Sequence, residues 1–144
     1  MTSKTIVKIG PEDHGRLMSL ADFEHAEVQE GFNYELSRGV ITVTDVPGRR
    51  HLALMTAIRD ELIVFKRADP GKIHTVAGGS DCKLLLPSFQ SERHPDIAVY
   101  KTAPPEDEND WINWVPEIVV EVISPGSEQR APTRKKGAYA AAVN

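Results

Sequence analysis

The chain lacks much of what would announce the commoner function classes. It holds a single cysteine, Cys82, so no internal disulfide can staple the fold. The apolar flank Leu84-Leu85-Leu86 marks that thiol as a buried structural group and not a nucleophile. No apolar run approaches the roughly 20 residues of a membrane helix, and Met1-Thr2-Ser3-Lys4 leads into no signal-peptide core. A cytoplasmic protein with no membrane partner is therefore the expectation. Net positive charge is missing as well: the formal net charge is -4 at pH 7, unlike a basic body that binds nucleic acid through bulk charge. Basic residues gather locally at Arg49-Arg50, at Arg59, at Lys66-Arg67 and from Arg130 to Lys136, while Glu106-Asp107-Glu108-Asn109-Asp110 is acidic. A local basic groove stays open beside the plainer reading of solvated faces. There is no internal repeat, and the only biased stretch is Ala140-Ala141-Ala142.

What is present is enough for one domain. A length of 144 residues with 40% hydrophobic and 26% charged residues supports one compact unit with one core, spanning 1–144. Residues 1–18 read as an irregular N-terminal segment. Ser19-Leu20-Ala21-Asp22-Phe23-Glu24-His25-Ala26 then reads as a short helix, with Ser19 as N-cap and Asp22 at the capping-box position. Tyr34-Glu35-Leu36-Ser37 and Val40-Ile41-Thr42-Val43 flank Arg38-Gly39 as a β-hairpin. From His51 to Lys66, Leu52, Met55, Ile58, Leu62 and Phe65 recur at helical spacing, and Pro70-Gly71 ends the segment. Lys72 to Ala77, Cys82 to Leu86, Pro95 to Tyr100 and Glu117 to Ile123 read as strands, with Pro87 to Glu92 as a loop. Gln129 onward reads as a final helix, with Pro132 confined to its first turn.

The chemistry is carried by acids where apolar strands would have none. Asp96 lies in Arg93-His94-Pro95-Asp96-Ile97-Ala98-Val99-Tyr100 and Glu121 in Pro116-Glu117-Ile118-Val119-Val120-Glu121-Val122-Ile123-Ser124-Pro125. A carboxylate beside a buried strand is costly unless it is paired or binds a metal, so two of them on neighbouring strands point to a divalent-cation site. A plainer reading pairs them with Arg38 or Arg93 in an ordinary α/β domain.

The helix, the strands and these acids resemble the PD-(D/E)XK nuclease superfamily, and within it the Uma-type family of restriction endonucleases. The resembling pieces are Tyr34-Glu35-Leu36-Ser37-Arg38-Gly39, the helix opening at His51, the Asp96 and Glu121 segments, and Lys135 with Tyr139. The resemblance implies an α/β (α+β) restriction-endonuclease-like fold, with a mixed central sheet flanked by helices and an added N-terminal β-hairpin. It further implies a Mg²⁺- or Mn²⁺-dependent endodeoxyribonuclease acting on DNA, and a homodimer, since superfamily members often pair to cut both strands. By the same resemblance Asp96 and Glu121 are the metal ligands, and Glu35 of the hairpin meets the ion directly or through water. The slot two residues after Glu121, where the superfamily has lysine, holds Ile123. In the Uma-type family a lysine on the following helix takes that role, which lands on Lys135, with Lys136 one register away. His51 matches the family's histidine, and its role is either a contact with phosphate or a structural hydrogen bond at the helix end. His94 reads as a packing or capping residue, Asp81 as a turn residue, and Trp111 and Trp114 either as stacking platforms for bases or as covers of a core edge.

The C-terminal stretch departs from the family. After Arg130 the family's aspartate before the lysine is replaced by Ala131-Pro132-Thr133-Arg134, and the chain stops at Asn144, before the closing strand. The expectation is a truncated or diverged C-terminus with the final core strand missing, leaving an edge exposed to association. Two functional readings follow: an active metal-dependent nuclease, or a catalytically defective nuclease-fold protein that binds nucleic acid or a protein partner.

Overall fold

The computed structural model describes residues 5–123. In chain order its elements are β1 (Lys8–Ile9), α1 (Leu20–Glu24), β2 (Glu27–Val28), β3 (Phe32–Ser37), β4 (Val40–Asp45), α2 (Arg49–Ala68), β5 (Thr75–Ala77), β6 (Leu84–Leu86), β7 (Ser91–Arg93), β8 (Ile97–Tyr100) and β9 (Ile118–Val120). Short 3-10 turns occupy Pro11–Asp13, Gly79–Asp81 and Pro87–Phe89. Several small sheets and two α-helices make this a mixed α+β chain, as a restriction-endonuclease-like fold requires. The final helix expected from Gln129 and the missing closing strand lie outside the described residues. Backbone contacts divide the described residues into two compact units: one is residues 5–46 together with Leu86–Arg93, the other is Pro47–Leu85 together with residues 94–123.

The first unit is organised by its hairpin. β3 and β4 pair antiparallel from Phe32↔Asp45 to Ser37↔Val40, which leaves Arg38 and Gly39 as a two-residue loop. Both have positive φ, 50° and 77°, the combination that a type I′ turn needs to match the strand twist. Arg38 accepts this left-handed backbone because its amide donates to Ser91 Oγ at 2.8 Å, while Gly39 donates to the Gln90 carbonyl at 2.8 Å. The sheet order is β4-β3-β7-β6, with Leu36 opposite Glu92 and β6 entering where the chain returns at Leu86. Tyr34, Leu36 and Ile41 turn inward with Ile9, Leu20 and Phe23. α1 is capped as the sequence indicates: Ser19 Oγ accepts from the Asp22 amide at 3.1 Å.

The segment expected to be irregular holds more order than that. Lys8–Ile9 pairs parallel with Glu27–Val28, and Pro11–Asp13 is a 3-10 turn closed by Asp13, whose carboxylate accepts from the Gly10 amide at 2.9 Å. That bond, with the Arg16 guanidinium beside it, holds the Asp13 carboxyl below the usual carboxylate range. Two-residue strands carry no readable period, which is why the sequence pattern does not reveal them. The stretch Pro87 to Glu92, expected to be a loop, likewise contains the start of β7.

The second unit is a three-stranded antiparallel sheet of order β5-β8-β9 with α2 on one face. β8 is central and fully buried, so it is apolar at every position instead of alternating. Ile97 and Val99 share one face with Ile73, against which Met55 and Leu62 of α2 pack. Ala98 and Tyr100 share the other with Ala77 and Cys82, covered by Trp111 and Trp114.

α2 forms where its period places it, but its inward face differs from the expected stripe. Of the five apolar residues in that stripe, Met55 and Leu62 pack on the sheet, whereas Leu52 (53% exposed), Ile58 (37%) and Phe65 (52%) lie toward solvent. The helix instead turns inward the line of His51, Met55, Arg59, Leu62 and Lys66, spaced three and four apart and so on one face. His51 fixes this rotation from the first turn through a tertiary bond, and the aliphatic stems of Arg59 and Lys66 lie along the inward face. Among the described residues no helix is long and apolar enough to cross a membrane.

Candidate functional site

The second unit brings the two central acids together. β8 and β9 are neighbours in antiparallel register, with Ile97↔Val120 as their last paired residues, so Asp96 just before β8 and Glu121 just after β9 lie at the same end of the pair. Both acids therefore flank the strands instead of lying inside them, as the boundaries expected at Pro95 and Glu117 had implied.

Asp96 is held on several sides. Its Oδ2 accepts from the backbone N–H of Val122 at 2.8 Å, and its Oδ1 lies 3.1 Å from His51 Nε2, where the imidazole N–H donates. The imidazole is buried at 8% exposure, while the Asp96 side chain keeps 19%. On the backbone side the Gly79 amide donates to the Pro95 carbonyl at 2.8 Å. A Cβ on Gly78 would collide with the Asp96 carbonyl oxygen, so this close approach of two chain segments requires glycine. The φ of Gly78, 173°, is ordinary extended backbone, and the requirement is one of space alone.

Glu35 lies in the first unit in a different setting. Arg93 Nη1 donates to its Oε2 at 2.9 Å and Arg93 Nη2 donates to Ser37 Oγ at 2.6 Å. The guanidinium is 3% exposed and the carboxylate 12%, so this is a buried ion pair across neighbouring strands β3 and β7. The ordinary-domain reading offered Arg93 to the central acids; the structure gives it to Glu35. Lys135 and its neighbour Lys136 lie outside the described residues. Among the described residues no group of three or more His, Cys, Asp or Glu side chains is placed to hold a metal ion.

The remaining singled-out residues have structural settings. Burial pushes the Cys82 thiol up to about 11, and the charges of Asp81 and Glu121 push the same way, which leaves no thiolate at neutral pH. Burial also raises the Tyr100 hydroxyl. Trp114 stacks on Tyr100 with ring centroids 3.8 Å apart and donates its indole N–H to the Thr102 carbonyl at 3.0 Å, covering a core edge. His94 Nδ1 donates to the Cys82 carbonyl at 3.0 Å, and Asp81 ends a 3-10 turn with Arg59 3.6 Å away. A cavity of about 390 Å³ in the first unit is lined by Lys8, Glu12 and Glu27 among others and contains none of the predicted site residues.

Sequence reasoning missed Gly78 and the Val122 amide. Gly78-Gly79 reads as a plain strand-breaking turn, and a backbone donor carries no residue signature at all.

The α+β architecture is consistent with a restriction-endonuclease-like fold. The family model Uma2, whose description is "Putative restriction endonuclease", matches residues 20–143, and the chain belongs to that family. Membership points to nuclease function and to DNA as the substrate. No curated protein matches the chain.

Proposed function

We propose that this chain is a metal-dependent endonuclease of the PD-(D/E)XK type that hydrolyses DNA phosphodiester bonds. The observation that supports this most is the placement of Asp96 and Glu121 at the same end of the β8–β9 pair, with Asp96 bonded to the amide that follows Glu121, in a member of this family. Two carboxylates suit Mg²⁺ or Mn²⁺, which take one or two protein carboxylates and keep several waters. Asp96 fits such an ion: its bonds to His51 and to the Val122 amide occupy about half of the roughly four lone-pair sites of a carboxylate, and its side chain remains partly open. When bound, the ion supplies a Lewis acid for the phosphate oxygen and a water of lowered pKa.

The residues of the chain do the rest. Asp96 and Glu121 offer hard oxygen ligands from positions fixed by the β8–β9 ladder. Lys135 provides the cation that orients the attacking water and offsets charge growing on the phosphoryl oxygens. Glu35 remains in this reading as the hairpin acid, oriented by Arg93.

The experiment is nicking of supercoiled plasmid by the purified chain with Mg²⁺ or Mn²⁺, beside Asp96→Ala prepared identically. The native chain is expected to cut and the variant to lose at least 10² to 10³-fold, on the order of what removing one transition-state contact costs. If both are inert while folded, the chain is instead a catalytically defective member of the fold, with binding as its remaining role. If both cut equally, the assignment of Asp96 falls.

A further inference from the structure

We infer that His51 is a positioning residue for Asp96, setting the orientation in which that carboxylate meets the divalent ion, and that it does not itself touch phosphate. The inference rests on the metal-site reading given above and deepens it. It begins from burial: His51 is the buried residue of α2, at 8% exposure in the first turn of a helix whose neighbours Arg49, Arg50 and Leu52 are exposed. A ring so placed is not presented to a polymer substrate. Its Nε2 is 3.1 Å from Asp96 Oδ1, 45 residues away in sequence, so the contact is a tertiary one and not a local cap.

The geometry around Asp96 gives the bond its purpose. Val122 N–H fixes Oδ2 at 2.8 Å, His51 fixes Oδ1, and together they remove rotation of the carboxylate about its last bond. The Val122 amide follows directly on Glu121, so the same bond that orients Asp96 ties the backbone of the second acid to it. Each carboxylate oxygen spends one lone pair on a donor and keeps another for an ion. A carboxylate free to rotate pays to be ordered when an ion binds, whereas one already locked does not. Hydrogen bonds to a metal-binding carboxylate of this kind change metal affinity by roughly 10- to 100-fold.

Mn²⁺ binding to the full chain, read as loss of the free-ion electron paramagnetic resonance signal, tests this without any cleavage assay. The set is native protein, His51→Gln, His51→Asn, His51→Ala and Asp96→Asn, each checked for folding by thermal melting. Glutamine places an amide nitrogen near the position of Nε2 and is expected to bind Mn²⁺ within a few-fold of native. Asparagine is too short to reach Oδ1 and, like alanine, is expected to weaken binding by roughly 10- to 100-fold. A merely structural histidine would shift melting temperature without separating glutamine from asparagine. If Ala fails to fold, the Gln against Asn comparison still decides. Equal Mn²⁺ affinity in the Gln and Asn variants, with Asp96→Asn impaired, overturns the role of His51 alone. Native affinity in Asp96→Asn overturns it together with the metal-site reading.

Discussion

Each of the two units carries a partly buried carboxylate tied to a distant side chain, and they treat it in opposite ways. In the first, Glu35 is met by the guanidinium of Arg93 at 2.9 Å, an ion pair that neutralises the acid where it sits. In the second, Asp96 is met by a backbone N–H and an imidazole, and among the described residues no lysine or arginine pairs with it. A guanidinium bonded to a carboxylate competes with any incoming cation. Backbone and imidazole donors orient a carboxylate while leaving its charge to attract one. The contrast lies in the identity of the donors, because burial is similar at the two sites, 12% and 19%.

The sharpest way to break this contrast is Arg93→Ala. It removes the guanidinium from beside a buried carboxylate and is expected to cost about 3–5 kcal/mol in stability, read from the urea midpoint. Restoring balance with Arg93→Met and Glu35→Leu together should recover most of that loss, since an apolar pair of similar volume replaces an ion pair at little cost. Asp96→Asn, by contrast, should lower stability by only about 1 kcal/mol, the worth of one ordinary hydrogen bond. Equal destabilisation by Arg93→Ala and Asp96→Asn would erase the distinction between the two acids.

A smaller effect sharpens the second half of the comparison. Gly78→Ala would drive its Cβ into the Asp96 carbonyl oxygen, and the backbone there must move to accept it. Overpacking of this kind costs about 1–3 kcal/mol. The displacement falls on the residue that carries the site, so Mn²⁺ affinity should drop along with melting temperature. The adjacent Gly79, with φ of 59° and no atom within 4 Å of an added Cβ, serves as control. Its alanine variant strains the backbone but does not push on Asp96, and should lose stability with less loss of metal affinity.

The legible parts of the chain were those with local causes. The hairpin followed from Arg38-Gly39 between two β-rich runs, and Ser19 capped α1 as its side chain dictates. The two central acids stood out because each adjoins an apolar run, and the β8–β9 register puts them at the same end of the strand pair. What the sequence hid is long-range or polar. β7 is Ser91-Glu92-Arg93, with no apolar residue, yet its members are 0%, 4% and 2% exposed. A strand that buries polar groups by pairing them leaves no hydrophobic period to detect. The rotation of α2 was hidden for a related reason. Its apolar stripe and its inward line share only Met55 and Leu62, and the deciding tie, His51 to Asp96, spans 45 residues. Glu35 was found by resemblance to a family, but its partner Arg93, 58 residues away, could be found only in three dimensions.

The least effect concerns acids that both units treat alike. Asp13 in the first unit and Asp110 in the second are carboxylates that close turns. Asp13 accepts from the Gly10 amide and from Arg16, and Asp110 from the side chain and backbone of Asn113, and in each case these donors hold the carboxyl below its usual range. A folded-state pKa below the unfolded value favours folding at pH values above the unfolded pKa, and that contribution is lost as pH falls through the folded value. Acidification from pH 5 to below the usual carboxylate range should therefore remove a small increment of stability from each turn. Asp110→Asn should melt slightly below the native chain at pH 5, with the gap closing in acid as the native carboxyl is protonated. Asp13→Asn should behave in the same way, because the cause is the same: local donors at a turn. A gap that widened in acid for either variant would mean that the turn prefers the protonated carboxyl, the reverse of what its donors favour.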